Sequence, residues 1–141
     1  MSTAENKLEI LDLISRYSHA FDGGDIETYT ELFAPDGYYS ERLGRQEVVC
    51  CKGHKELKAY LVGEVAKRGN AQLRHHVRNT IFVQLSGTHA MTRTYFLATV
   101  VGREGQLAQV TGTGIFEDEF IKLPKGWRIH KRTTIHDPRS A

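Results

Sequence analysis

The stretch Leu73-Arg74-His75-His76-Val77-Arg78-Asn79-Thr80-Ile81-Phe82-Val83-Gln84-Leu85 carries a side-chain period of two. Successive residues of a strand point to opposite faces, so Leu73, His75, Val77, Asn79, Ile81, Val83 and Leu85 are expected on one face. Arg74, His76, Arg78, Thr80, Phe82 and Gln84 are expected on the other. Three further strand-like runs follow, Thr88 to Gly102, Gln106 to Ile121 and Gly126 to His136, separated by Ser-Gly, Glu-Gly and Pro-Lys-Gly turn signals. Long strands in meander order predict an antiparallel sheet.

Upstream of Leu73 the period is helical. Leu8, Leu11, Ile14, Ser15, Ser18 and Phe21, with Ile10 and Tyr17 alongside, follow the three-to-four spacing of a helix with one buried face. Gly23 and Gly24 end that helix, and Asp25 reads as the N-cap of a second one running to about Phe33 and stopped by Pro35. Short strands are expected at Gly37 to Ser40 and Gln46 to Lys52. A third helix is expected over His54 to Lys67, with Leu57, Leu61 and Val65 on one stripe. Helices first and strands later predict an α+β fold, with three helices on one face of a curved sheet.

Length and composition agree with one domain spanning residues 1–141. No run approaches the ~18 uninterrupted apolar residues of a membrane span, and the acidic, amphipathic first twenty residues do not read as a targeting peptide. Nineteen Lys and Arg against 17 Asp and Glu give a net charge of +2, which predicts neither nucleic-acid nor membrane binding. Cys50 and Cys51 are adjacent, a geometry that disfavours a mutual disulfide, so reduced thiols and a cytoplasmic setting are expected. Tyr95, Leu97 and Val101 on one face of a strand, against Phe96, Ala98 and Val100 on the other, suggest that a second subunit covers the outer side of the sheet. A homodimer is the expected assembly.

Seven histidines in a small domain direct the search for chemistry. Strand parity turns His75 inward and His76 outward. A buried imidazole needs a polar partner, because an unsatisfied buried polar group costs roughly 1–3 kcal/mol. A backbone carbonyl would serve, and so would Asp22. That carboxylate stands at the C-terminal end of the first helix, where the macrodipole disfavours it by about 0.3–1 kcal/mol, so it too calls for a partner. An Asp–His pair fixes the tautomer of the ring and raises its basicity, which makes a general base. Alternatively, Asp22 is solvated or caps the turn toward Asp25. Arg132 shares a strand face with Arg128, His130, Thr134 and His136, Arg128 and His130 being expected in solvent; parity alone does not choose a side for Arg132. Tyr17, Tyr38, Tyr39, Tyr95 and Phe116 are candidates to line an apolar pocket, or simply to fill the core. No His-Glu-x-x-His or paired Cys-x-x-Cys is present, so no metal site is expected. Gly112-Thr113-Gly114 lies within a strand, fails the context test for a dinucleotide loop, and fits sheet curvature or close approach instead.

Taken together, Phe21-Asp22-Gly23-Gly24-Asp25, Leu32-Phe33-Ala34-Pro35-Asp36-Gly37, Gly53-His54-Lys55-Glu56-Leu57, Arg74-His75-His76-Val77-Arg78-Asn79, Phe116-Glu117-Asp118-Glu119-Phe120 and Gly126-Trp127-Arg128-Ile129 resemble, in order and spacing, the SnoaL-like family of the nuclear transport factor 2-like superfamily. The resemblance covers about Glu5 to His136. It implies a cone-shaped α+β barrel with a pocket between helices and a strongly curved sheet, and homodimers or, in some members, trimers. Scytalone dehydratase and hexachlorocyclohexane dehydrochlorinase are similar in pairing an aspartate near the end of the first helix with a histidine opening the first long strand, positions that match Asp22 and His75 here. The dehydrochlorinase has an arginine matching Arg132, and Tyr17 falls where the family places a pocket-lining residue. Polyketide cyclases of the family use an aspartate in the sheet, for which Asp118 is a counterpart. The resemblance therefore implies a cofactor-independent lyase or isomerase, of dehydratase or cyclase type, acting on a small, largely apolar cyclic or polyketide-like molecule. Asp22, His75 and Arg132 would be catalytic, and Tyr17, Tyr39, Asn79, Tyr95 and Phe116 would contact substrate. The other function in view is a non-catalytic module that holds a hydrophobic ligand in the same pocket.

Overall fold

A computed structural model describes residues 2–102 and 104–138. Its elements run α1 (Thr3–Gly23), α2 (Ile26–Glu31), β1 (Phe33–Leu43), β2 (Gln46–Lys52), α3 (Gly53–Arg68), β3 (Gln72–Leu85), β4 (His89–Val101), β5 (Gln109–Leu123) and β6 (Gly126–His136). The fold is α+β, with the helices packed on a curved six-stranded sheet of order β2-β1-β6-β5-β4-β3. One pairing departs from the meander expectation. β1 and β6 run parallel, so the sheet is mixed. The last strand of the meander docks on the open edge of β1 and satisfies main-chain groups that would otherwise be left bare.

Helix α1 starts at a capping box formed by Ser2 and Glu5, and ends at Gly24, whose φ of 69° is the left-handed conformation that glycine adopts without strain. Its buried stripe is Ile10, Leu13, Ile14, Tyr17 and Phe21, while Leu8 and Leu11 are exposed, one step around the helix from the expected face. α3 buries Leu57 and Leu61 as its spacing predicted. These stripes meet Tyr29, Phe33, Trp127 and Ile129 in a single core between helices and sheet. The Trp127 indole N–H donates to Asn6 Oδ1 at 3.0 Å and ties the last strand to the first helix.

Helix α2 ends at Glu31, short of Phe33, and Pro35 does not terminate it but lies inside β1. Residues 34–37 pair with neither neighbouring strand, so the proline's missing N–H leaves no ladder bond unmade.

Bulges in β3 and β6 reset strand parity. In β3 the register jumps between Arg78 and Ile81 where Asn79 takes a φ of 57°, and Asn79 and Thr80 together face Thr94. Leu73, His75 and Val77 therefore face inward as expected. Between this bulge and a second one at Val83 the faces exchange: Phe82 packs against the core, while Ile81 and Val83 are each 58% exposed. Past Val83 the alternation is restored and Leu85 packs on the core as expected. In β6, Glu119 pairs with Lys131 and Phe120 with Ile129, which leaves His130 as the extra residue. Trp127 and Ile129 before that bulge and Arg132 and Thr134 after it are all buried. Gly114 has a packing reason as well: a Cβ there would stand 2.7 Å from the Phe96 ring and closer still to the Ile135 carbonyl.

Candidate active site

Asp22 and His75 meet where the end of α1 crosses the start of β3. Asp22 Oδ1 lies 2.6 Å from His75 Nδ1, and Oδ2 accepts the main-chain N–H of His75 at 2.7 Å. Both carboxylate oxygens thus receive donors from one residue, which offsets the unfavourable helix-end position of Asp22. The imidazole stands edge-on to Phe21, with ring centres 5.4 Å apart at 90°, and its other side faces Phe96. With a proton on Nδ1 directed at Asp22, the neutral ring presents a lone pair at Nε2. No described residue bonds that nitrogen.

His75 opens onto a cavity of about 240 Å³ between the helices and the concave face of the sheet. Tyr17, Tyr39 and Phe116 line it as expected, together with Phe21, Tyr60 and Phe96. Phe96 and Phe116 stack at 4.6 Å and form an aromatic floor. Burial pushes the Tyr17 hydroxyl up to about 12, despite the nearby Arg132 charge, and raises Tyr39 and Tyr60 well above the ordinary phenol range. These phenols are neutral hydrogen-bonding groups at physiological pH.

Two expected substrate contacts lie elsewhere. Asn79 is exposed at the β3 bulge, so its side chain does not line the cavity; the bulge displaces it from the face that parity assigned. Tyr95 is 58% exposed on the outer face of β4, opposite the inward-facing Phe96. Arg132 points inward yet does not reach the cavity surface. It is fully buried, forms two 2.7 Å hydrogen bonds to Asp118, and lies 4.0 Å and 4.2 Å from the ring centres of Tyr17 and Phe116. Burial disfavours its charge, but Asp118 outweighs that and raises its pKa. Asp118 is consumed by the same ion pair, its side chain fully buried, and it does not line the cavity that His75 enters.

A second polar cluster, absent from the residues expected above, stands on the cavity wall. Glu41 Oε1 accepts hydrogen bonds from Tyr39 Oη at 2.6 Å and Tyr60 Oη at 2.7 Å, and Oε2 faces His136 Nε2 at 3.4 Å. Burial pushes the Glu41 carboxyl up, but the hydrogen bonds from His136, Tyr39 and Tyr60 together hold it down at about 2. Parity carried a signal for it: Glu41 is two residues beyond Tyr39, His136 four beyond Arg132, and Tyr60 one turn beyond Leu57. Among the described residues, no three His, Cys, Asp or Glu side chains group as metal ligands would, and no helix is long and apolar enough to cross a membrane.

A SnoaL-like domain model matches residues 2–133. An uncharacterized protein of Mycobacterium tuberculosis, Rv2910c, is 29% identical over 136 residues, covering 94% of this chain and 87% of that one. Among solved structures, a protein of unknown function with a cystatin-like fold from Nostoc punctiforme aligns with a TM-score of 0.78 at 29% identity, over 96% of this chain and 94% of that one. ActVI-ORFA from Streptomyces coelicolor aligns at 0.83 and 19% identity, over 96% and 97% of the two chains, a likeness of fold.

Proposed function

Because the chain belongs to the SnoaL-like domain family, we propose that it is a cofactor-independent lyase or isomerase in which the Asp22–His75 pair removes a proton from a small, largely apolar cyclic molecule. One observation carries this reading: an imidazole fixed at 2.6 Å by a carboxylate, with its free nitrogen turned to an aromatic-walled cavity. Asp22 holds the tautomer and stabilises the imidazolium that forms when Nε2 takes a proton from carbon beside an electron-withdrawing group. The cavity size bounds the substrate. An apolar cavity of ~150 Å³ accepts benzene, so about 240 Å³ suits one or two rings. Arg132 serves here as a positioning residue that sets the Tyr17 and Phe116 rings against the ligand.

The test uses 2-tetralone, a bicyclic ketone with acidic C–H groups, as probe. The wild-type protein should exchange its α-protons for deuterium in D2O, followed by NMR. His75→Ala should lower the rate by about 10²–10⁴-fold, the usual contribution of a general base. Saturable binding of the ketone with no exchange would favour a non-catalytic ligand carrier instead.

Ile81, Val83, Tyr95, Leu97 and Val101 leave an apolar strip exposed on the outer face of the sheet. Strips of this kind mark interaction sites, and we read this one as the contact of a homodimer, with a trimer as the other closed arrangement. Cys50 and Cys51 are both free thiols, consistent with a cytoplasmic setting.

A further inference from the structure

The far wall of the cavity holds a second carboxylate–imidazole pair, Glu41 and His136, that the proton abstraction proposed above does not use. His136 and Glu41 retain 27% and 21% side-chain exposure, and both line the cavity that His75 enters. The His136 ring stands 5.8 Å from Phe96, and the His75 ring stands 6.3 Å from the same phenyl, so the two imidazole centres are no more than about 12 Å apart. A one- or two-ring molecule lying over Phe96 spans that gap.

The two nitrogens of His136 have different surroundings. Nε2 faces Glu41, while Nδ1 is bonded to no described residue and looks toward Gly112. Even a Cβ added at Gly112 would stand 4.0 Å from Nδ1, so the absent side chain leaves room for a ligand atom there. Three donors converge on Glu41 and keep it ionised through the neutral range. With Nε2 turned to Glu41, the imidazole that carries a proton on both nitrogens is the form that donates from Nδ1. Tyr60 Oη, which donates to Glu41, also lines the cavity and keeps acceptor capacity for a substrate hydroxyl.

We infer that His136, oriented by Glu41, is a second catalytic residue that gives a proton to a substrate oxygen while His75 takes one from carbon, and that the substrate is a cyclic ketone or hydroxy ketone. The inference rests on the reading of His75 as the base. In enolisation, His75 Nε2 takes the proton, the C–H electron pair becomes the C=C bond, the carbonyl π pair moves to oxygen, and that oxygen takes the His136 Nδ1 proton. Isomerisation follows when His75 returns its proton at a different carbon and the enol proton goes back to His136. In elimination, the C–O bond breaks with its pair and the departing hydroxyl leaves as water with the His136 proton. Solvent exchange then moves one proton from His75 back to His136. No oxidant, reductant or co-reactant enters.

The experiment compares 2-naphthol, a planar mimic of the 2-tetralone enol, with naphthalene by fluorescence titration. The wild-type protein should bind 2-naphthol about 10- to 100-fold tighter, the worth of one hydrogen bond to a charged donor. His136→Ala should bring the ratio close to one by weakening 2-naphthol far more than naphthalene, whose continued binding reports an intact cavity. Glu41→Gln, nearly isosteric, should reduce the ratio in the same direction if the alanine variant does not fold. A ratio that survives both variants, or one abolished only by His75→Ala, overturns the inference, as does failure of the wild type to bind either probe. The two readings separate cleanly. Absence of 2-tetralone exchange with a naphthol preference that depends on His136 would remove the base and leave this site. Exchange that depends on His75 with a ratio indifferent to His136 would do the reverse.

Discussion

Asp22 grips His75 twice, through the ring nitrogen at 2.6 Å and through the main-chain N–H at 2.7 Å. The carboxylate that orients the imidazole also pins the backbone carrying it, so position and tautomer are set by one group.

Asp22→Asn retains one acceptor oxygen and loses the charge. We expect 2-tetralone exchange to fall by about 10²-fold or more, with a loss of roughly 1–3 kcal/mol in urea unfolding from the weakened buried contacts. Combined with His75→Ala it should add little further, because the two act as a unit. Independent, multiplying effects on the rate would contradict the pairing.

Arg132 and Asp118 form a fully buried ion pair. Removing one partner strands the other charge, so Arg132→Ala and Asp118→Ala should each cost about 3–5 kcal/mol. The double replacement Arg132→Met with Asp118→Leu should recover most of that. A double-mutant cycle by urea denaturation measures the coupling, and additive losses would show that the pair is not the source.

The Glu41 carboxyl is held at about 2, against an ordinary 4.5, by its hydrogen-bond donors. A depressed carboxylate contributes stability that is full above the unfolded pKa and disappears as pH falls through the folded one. The advantage of wild type over Glu41→Gln should therefore shrink as pH drops from about 5 to about 2. Its ceiling is about 3 kcal/mol, less a reduction for the part of the side chain that solvent reaches. An advantage constant across that range would contradict the assignment.

Gly114→Ala would press a methyl into the Phe96 ring and the Ile135 carbonyl. Overpacking of this kind costs about 1–3 kcal/mol, and by tilting Phe96 off Phe116 it should also weaken naphthalene binding. Gly112→Ala, which meets nothing nearer than 4.0 Å, should keep its thermal midpoint. Equal melting temperatures for the two variants would argue against close approach at Gly114.

If the outer sheet face joins two copies, Tyr95→Glu with Leu97→Glu should yield a folded monomer by analytical ultracentrifugation. A wild-type chain that already sediments as a monomer would end the dimer proposal.

Much of this molecule was legible locally. Period-two patterning located β3 to β6, the helix stripes and caps located α1 and α3, and the awkward carboxylate at the end of α1 pointed to a partner such as His75. These are near-neighbour effects, decided by residues within one turn or one pleat of each other.

Parity failed over the residues that a bulge displaced. Asn79 in β3 and the extra residue His130 in β6 each shift the alternation by one, sending Ile81 and Val83 outward and Arg132 inward. A bulge is a choice made by paired strands together, so one strand's pattern does not announce it. Tyr95 failed for another reason, since an aromatic suits either side of a sheet and only the covering helices distinguish them.

The sequence by itself determined the α+β order of elements, the helix faces and one half of the site, because each depends on short-range periodicity and local electrostatics. The tertiary structure alone decided the other half. The parallel register of β1 on β6 places Glu41 opposite Thr134, two residues short of His136, and so joins groups 95 positions apart on one cavity wall. That juxtaposition follows from which strand edge the last strand covers, a long-range choice made by closing the sheet.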